Sequence, residues 1–186
     1  MNNGLTEVPD GDIDPRIWLL NQYRAAEVHG AGAIMRMGKL ADNSELRSSL
    51  SRHLRDEAVH AWLWTRAIND LDGDIISVPE AYQTRLAFHY GIPSTLNDLL
   101  ALTLASEKRG LAQYIEHMDT PEVTGPIHRT LRAILKDEEW HVRYIKEELD
   151  GRAKHDTEVF QLVERALEAD RLAVAELQDA SAKLTD

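Results

Sequence analysis

Apolar side chains recur along this chain at intervals of three and four residues, the spacing of one face of an α-helix. Five such stretches are separated by short runs of turn residues, and none shows the alternation of a strand over a useful length. The apolar positions are, in chain order, Ile17, Leu20, Tyr23, Ile34 and Met37; Leu46, Leu50, Leu54, Ala61, Trp64 and Ile68; Leu96, Leu100, Thr103, Leu111, Tyr114 and Met118; Ile127, Leu131, Ile134, Ile145 and Leu149; and Phe160, Val163, Leu167, Val174 and Leu177. The pattern predicts an all-α protein.

Capping and turn residues give the bounds of these predicted helices. Asp14 before Pro15 is typical of a helix start, and Asp42 with Glu45 resembles a capping box that opens the second helix. The other predicted bounds are an end of the second helix at 72–74, a start of the third at Ser94 or Thr95, a fourth helix from Gly125-Pro126 to Asp150-Gly151, and a fifth at roughly 156–183.

The connections predict how the helices are joined. Short loops make helices 1 and 2, and helices 3 and 4, antiparallel hairpins. The longer link at 73–94 is expected to cross the molecule and to contain a short helix near 79–90. Two hairpins joined by one long crossover form a known four-helix bundle topology. We therefore predict a flexible N-terminus at 1–13, a four-helix domain at 14–150, and a C-terminal amphipathic helix at 151–186 that serves as a cover or a dimer surface.

Each of the four longer apolar stripes is interrupted by charged or imidazole side chains. A buried carboxylate is costly unless something pairs with it, and four carboxylates facing one core would repel each other. Two divalent metal ions would supply four positive charges, and neutral histidines would complete the ligand sets. The interrupting residues are Glu27, Glu57, His60, Glu107, Glu138 and His141.

Repetition strengthens this hypothesis. The pattern Asp-Glu-x-x-His occurs at 56–60 and again at 137–141, and each copy follows a single core-facing glutamate by 30 or 31 residues. The pattern thus predicts that the same helical hairpin occurs twice in the chain. The spacing places each single glutamate level with its Glu-x-x-His partner, so that all six side chains are expected to converge in the middle of the bundle.

Other interpretations exist for each residue taken alone. A histidine on a core face is commonly a hydrogen-bonded core residue, and a glutamate there can pair with an arginine such as Arg24 or Arg55. Tyr23, Tyr114 and Tyr144 are expected to fill the core rather than to act as redox tyrosines. The remaining histidines are predicted to lie at the surface or behind the ligands: His29, His53, His89, His117, His128 and His155.

Two glycines stand at matching places in the two hairpins. Gly30 follows Glu27 by three residues, and Gly110 follows Glu107 by three. Positions three apart share a helix face, so both glycines are predicted to point towards the metals. They could serve close helix packing, or they could leave a cavity for O2 and an organic substrate, which Tyr23 and Tyr114 would also border.

Composition narrows the function classes. The net charge of −11 argues against nucleic-acid binding. The absence of cysteine excludes thiol catalysis, thiolate zinc sites and iron–sulfur clusters. The chain has no run of 18 apolar residues, so no membrane span is predicted. The first 12 residues are polar and acidic and do not resemble a signal peptide. A cytoplasmic location is expected.

At the six interrupting residues the chain resembles the ferritin-like di-iron carboxylate superfamily, over about 14–150. The resemblance implies a four-helix bundle with two iron ions, or manganese, held by Glu27, Glu57, His60, Glu107, Glu138 and His141. It implies that Glu57 and Glu138 bridge the two ions. It also implies that Asp56 and Asp137 accept the N–H of a ligating histidine, which would fix the orientation of the imidazole.

The superfamily is broad, and two functions remain open. The first is an oxidoreductase that activates O2 to oxidise a small organic substrate with electrons from an external donor. The second is a ferroxidase, an iron-storage protein or a peroxide scavenger. The chain has Ala58 where bacterioferritins have a haem-ligating methionine, and Gly110 where rubrerythrin-type peroxidases have an extra carboxylate. A homodimer is possible, and neither a nucleic-acid nor a membrane partner is expected.

Overall fold

The computed structural model describes residues 13–78, 81–121, 123 and 125–184. Within these ranges the chain forms six α-helices and no strand, which confirms the all-α prediction. The predicted flexible N-terminus lies almost wholly outside the described residues. The helices are α1 (Pro15–Leu40), α2 (Ser44–Asn69), α3 (Ala81–Tyr90), α4 (Leu96–Met118), α5 (Gly125–Ala153) and α6 (Glu158–Leu184).

Capping side chains set most of the helix starts. Asp14 caps α1 by accepting a hydrogen bond from the backbone N–H of Arg16 at 2.8 Å. Thr95 and Asp98 form a reciprocal capping box at the start of α4. Of the two predicted starts of this helix, Ser94 and Thr95, the second is therefore the cap. The short helix predicted in the crossover is α3. The all-helical reading therefore extends to the details of these ends.

The predicted start of α2 is wrong by one residue. Asn43, not Asp42, is the cap, and its side-chain oxygen accepts from the N–H of Leu46 at 2.8 Å. Asp42 instead forms an ion pair with Arg152 at 2.7 Å. The predicted end of α5 at Asp150-Gly151 is also wrong. The helix continues to Ala153, which is buried in the core.

Four of the five long helices contact one another in a closed ring: α1 with α2, α2 with α5, α5 with α4, and α4 with α1. Only three residues join α1 to α2, and the two helices contact each other. They therefore form an antiparallel hairpin. Helix α6 packs against α3, α4 and α5, so it covers one side of the ring and fits the predicted role of a cover.

The core of this ring is divided into two apolar halves. Ile34, Leu50 and Leu104 belong to one cluster, and Tyr23 and Trp64 belong to the other. On every one of the four helices, the charged interruptions of the apolar stripe lie between residues of the two clusters. The fold therefore places a polar layer across the middle of an apolar core.

Candidate metal centre

The polar layer contains all six residues that interrupt the apolar stripes. Helix α1 contributes Glu27, α2 contributes Glu57 and His60, α4 contributes Glu107, and α5 contributes the remaining pair. None of them is more than 8% exposed. The six are Glu27, Glu57, His60, Glu107, Glu138 and His141.

One group of possible metal donors lies towards Glu27. Its ligand atoms all fall within 4.8 Å of one another, and they come from Glu27, Glu57, His60 and Glu138. The Nδ1 atom of His60 lies 3.0 Å from Oε1 of Glu138 and 3.5 Å from Oε2 of Glu27. Donor atoms around one ion at bonds of about 2 Å lie about 3–4 Å apart. The spacing therefore suits a single cation.

A second group lies beside the first and shares Glu57 with it. It consists of His53, Glu57, Glu107 and His141, again with ligand atoms within 4.8 Å of one another. The Nδ1 atom of His141 lies 3.6 Å from Oε2 of Glu107 and 3.7 Å from Oε2 of Glu138. Glu138 thus lies near both histidines of the repeated pattern, and Glu57 belongs to both groups.

His53 belongs to the second donor group although it was not among the predicted ligands. Of the two positions predicted for it, at the surface or behind the ligands, the surface is excluded because its side chain is fully buried. Its Nε2 atom lies 3.1 Å from Oε1 of Glu57 and 3.3 Å from Oε1 of Glu107, while its Nδ1 atom is 2.8 Å from the hydroxyl of Tyr144. The signal was present in the spacing, since His53, Glu57 and His60 share one face of α2.

Two aspartates stand behind the histidines in a crossed arrangement. Asp56 of α2 faces His141 of α5, with Oδ2 and Nε2 3.5 Å apart. Asp137 of α5 faces His60 of α2, with Oδ2 and Nε2 3.6 Å apart. Arg52 lies near both carboxylates, at 3.6 Å from Asp56 and 3.8 Å from Asp137. Each aspartate can therefore orient an imidazole of the other hairpin.

The buried polar atoms of this layer are poorly satisfied by protein groups alone. Although Nδ1 of His60 lies 3.0 Å from Oε1 of Glu138, no described residue completes a hydrogen bond to that oxygen or to either ring nitrogen of His60 or of His141. Buried polar atoms are rarely left unpaired in native proteins. A cation at each donor group would satisfy the Nδ1 atoms and the carboxylates together, so the residues present fit a pair of metal ions.

The electrostatics of the metal-free protein point the same way. Burial, followed by the charges of Glu27, Glu107 and Glu138, raises the pKa of Glu57 well above its usual range. Burial also raises the pKa of Glu138. Burial acts in the same sense on Glu107, but the charges of His53 and His141 outweigh it and lower the pKa of that carboxyl.

The two histidines of the repeated pattern are shifted towards the charged form. Burial lowers the pKa of His60, but the carboxylates of Glu138 and Glu27 outweigh this and raise the pKa to about 11. In the same way Glu107 and Glu138 outweigh burial and raise the pKa of His141 to about 10. Without metal, protons on these rings supply the positive charge that the carboxylates require.

A cavity of about 630 Å³ opens onto one side of the polar layer. All four core glutamates, Glu27, Glu57, Glu107 and Glu138, contribute to its wall, whereas none of the three buried histidines does. The rest of the wall is mainly apolar and comes from α1, α3 and α4. The centre therefore has a carboxylate face towards the cavity and an imidazole face away from it.

The two repeated glycines line this cavity but differ in what surrounds them. A Cβ atom at Gly110 would meet no atom within 4 Å, so this glycine borders open space. A Cβ atom at Gly30 would overlap Oε2 of Glu57. Of the two roles considered, open space beside the centre fits Gly110, whereas the missing side chain of Gly30 makes room for a donor carboxylate.

The two tyrosines predicted to border the cavity also differ. Tyr114 lines it, and its hydroxyl donates a short hydrogen bond to Oε1 of Glu27. The indole N–H of Trp64 donates to the same oxygen at 3.3 Å. Tyr23 stands behind Tyr114, with ring centroids 4.9 Å apart, and is not part of the cavity wall. Burial raises the pKa of both tyrosines, so their hydroxyls stay protonated.

Comparisons of this chain with protein-family models, with curated proteins and with solved structures found no match. Among the described residues, no helix has the length and apolar character needed to cross a membrane.

Proposed function

We propose that this protein is a ferritin-like di-iron oxidoreductase that activates O2 to oxidise an organic substrate held in the cavity. The observation that carries the proposal is the pair of donor groups that share Glu57 and open together onto a largely apolar cavity. The closed ring of four contacting helices supports the ferritin-like arrangement. The cavity also has the volume of a typical small-molecule site.

One ion would be held by Glu27, Glu57, His60 and Glu138, and the other by His53, Glu57, Glu107 and His141. Imidazole and carboxylate donors suit both iron and manganese. Bound iron would supply the reducing equivalents and open coordination positions that O2 activation needs.

The chain's own residues have separate duties in this proposal. Asp56 and Asp137 orient the imidazoles of His141 and His60, and Tyr144 does the same for His53. The hydroxyl of Tyr114 keeps its proton and donates it in a hydrogen bond to Glu27, which holds the carboxylate of Glu27 in place. The two apolar clusters exclude water from either end of the layer.

A ferroxidase or storage function is the alternative. The cavity favours the oxidoreductase, because storage requires a path for iron rather than about 630 Å³ of mainly apolar space beside the centre. A storage protein would also assemble into a cage, which the size of the native particle reveals.

The test begins with anaerobic loading of the purified protein with Fe(II), followed by metal analysis. We expect two equivalents per chain, and a visible absorption change on exposure to O2. A chain that holds no iron, or whose reduced iron does not react with O2, would contradict the proposal. A reaction with O2 in a large cage that accumulates ferric mineral would instead establish storage.

His53 supplies the sharpest variant for this test. His53→Ala is expected to weaken one of the two iron equivalents about 10- to 100-fold, as loss of a ligand or of its support does. His128→Ala is the matched control, because residue 128 is not part of either donor group. Two unchanged equivalents in His53→Ala would remove His53 from the proposed ligand set.

A further inference from the structure

The cavity is elongated, and its two ends differ in charge. Along α1 its wall extends from Ala26 to Arg36, a span of about 15 Å at 1.5 Å per residue. Glu27 and the other three core glutamates stand at one end. Arg36 stands at the other, where its guanidinium donates to the backbone carbonyl of Pro93 at 3.2 Å.

Between these ends the wall is mainly apolar. Ala33 of α1, Leu86 of α3, and Leu99 and Leu102 of α4 are among the residues that form it. Such a surface gains free energy by covering apolar surface of a ligand and offers little to a polar one. A ligand that fills the whole cavity must therefore have an apolar middle.

Arg36 is the single lysine or arginine among the described residues of the wall. No carboxylate among the described residues forms an ion pair with it, and Pro93 engages one of its terminal nitrogens. The guanidinium presents five N–H donors in a planar fork that matches a carboxylate. Most of this donor capacity is available at the far end of the cavity.

We propose that the cavity binds a linear monocarboxylate, with its carboxylate on Arg36 and its apolar chain directed towards the four core glutamates. An extended chain advances roughly 1.2 Å per bond. After a contact distance of about 2–3 Å is left at each end, roughly 10 Å of the span remains, which favours about 8–10 carbons. The reverse orientation would place the carboxylate beside four glutamates whose negative charge two divalent ions only balance, and it would leave Arg36 without a charged partner. This inference rests on the proposed function only in naming the ligand as that enzyme's substrate.

The test is calorimetric binding of decanoate to the metal-loaded protein under anaerobic conditions, with 1-decanol and hexanoate as comparison ligands. We expect decanoate to bind once per chain and hexanoate to bind at least tenfold more weakly. Arg36→Gln should weaken decanoate about tenfold and leave 1-decanol unchanged. Lys39→Gln is the control, because Lys39 is an exposed cation on the same helix that is not part of the wall.

Unchanged affinity of decanoate for Arg36→Gln, or no binding to the parent protein, would overturn this assignment. A second variant, Ala33→Phe, fills the middle of the cavity and should abolish binding of both ten-carbon ligands. Retained binding would place them elsewhere and would also overturn it. Because no O2 is present, these outcomes are independent of iron reactivity, so the binding site and the oxidoreductase proposal can fail separately.

Discussion

Glu57 is the residue on which both donor groups depend, since its carboxylate is close to His53 on one side and belongs with Glu27 and His60 on the other. Its position is made possible by Gly30, which lies where a larger residue would overlap Oε2 of Glu57. A single buried carboxylate thus links α1 and α2, and it determines how the metal-free protein responds to pH.

In the metal-free protein the pKa of Glu57 is raised well above its ordinary value of 4.5. Above pH 4.5 the folded state therefore binds more protons than the unfolded state, and Glu57 lowers stability as the pH rises. The neutral amide of Glu57→Gln removes this effect. We expect the metal-free variant to be more stable than the parent at about pH 7.5 and similar near pH 4.5.

Urea unfolding of both metal-free proteins at the two pH values measures this difference. Glu147→Gln, which changes an exposed glutamate in the interior of α5, is the control and should match the parent throughout. The same Glu57→Gln variant should bind less than one equivalent of iron. A variant no more stable than the parent at neutral pH would refute the raised pKa.

The two repeated glycines give a matched pair of variants. Gly30→Ala must displace the carboxylate of Glu57, so we expect a loss of iron from both donor groups. Gly110→Ala adds its methyl group to open space and should keep both equivalents. Metal analysis after anaerobic loading compares them directly. Equal iron content in the two variants would show that Gly30 is not required to admit Glu57.

At the scale of elements, α3 forms part of the cavity wall and is held in place by α4 and α6. Asp170 of α6 accepts hydrogen bonds from the hydroxyl of Tyr82 on α3 at 2.7 Å and from Nε of Arg109 on α4 at 3.0 Å. Asp98 joins the same three helices, because it accepts from Tyr90 and Arg165. These partly buried polar contacts therefore hold α3 in the position where it forms part of the cavity wall.

Asp170→Asn is expected to destabilise the protein by about 1–3 kcal/mol, because Arg109 loses its charged partner in a partly buried position. The loss should appear as faster amide hydrogen exchange at 81–90, with iron content unchanged. Glu168→Gln, an exposed change on the same helix, should leave exchange as it was. Undiminished protection of α3 in Asp170→Asn would contradict this clamp.

The elements were predictable because each long helix buries one face, and burial imposes the helical period on the sequence. Stripe positions such as Leu50 and Ile134 are fully buried, as the pattern indicated. The cap of α2 was predicted wrongly because Asp42 and Asn43 are both good capping residues. Asp42 pairs with the distant Arg152, and Asn43 caps the helix. His53 shares a face of α2 with Glu57 and His60, but its other partners, Glu107 and Tyr144, lie on α4 and α5. No local pattern reveals those two contacts.

The cavity was only partly predictable for the same reason. Gly30 and Gly110 occupy matching positions in the two hairpins, so the sequence does not distinguish them. Tertiary packing alone places Glu57 in the space beside Gly30 and leaves the space beside Gly110 open. Tyr114 and Tyr23 likewise occupy similar apolar positions, and packing alone sets one in front of the other. Periodicity gives the face of a helix, and it does not give the depth of a side chain.

At the scale of the whole molecule, the proposed metal binding would be coupled to folding. Four buried carboxylates hold two helical hairpins together only when positive charge balances them. In the metal-free protein that charge comes from the protons of His60 and His141, whose pKa values are raised to about 11 and about 10. Ligating nitrogens must lose their protons, so metal ions replace these protons rather than add to them.

We therefore expect iron binding near neutral pH to release at least about two protons per chain, because Glu57 and Glu138, whose pKa values are also raised, can add to those of the two histidines. Binding should also raise the melting temperature by several degrees. Calorimetry in two buffers of different ionisation enthalpy measures the protons, and a thermal scan measures the shift. Lowering the pH should weaken binding. Binding without proton release, or an unchanged melting temperature at saturating metal, would be incompatible with this buried centre.

The division of the centre into a carboxylate face and an imidazole face has a stereochemical consequence. The cavity lies on the carboxylate face alone, so a molecule held there would present only one of its sides to the proposed metal ions. At a prochiral carbon the two hydrogens or the two faces become unequal. Oxidation there should yield a single enantiomer, which chiral chromatography of the product distinguishes from a racemate.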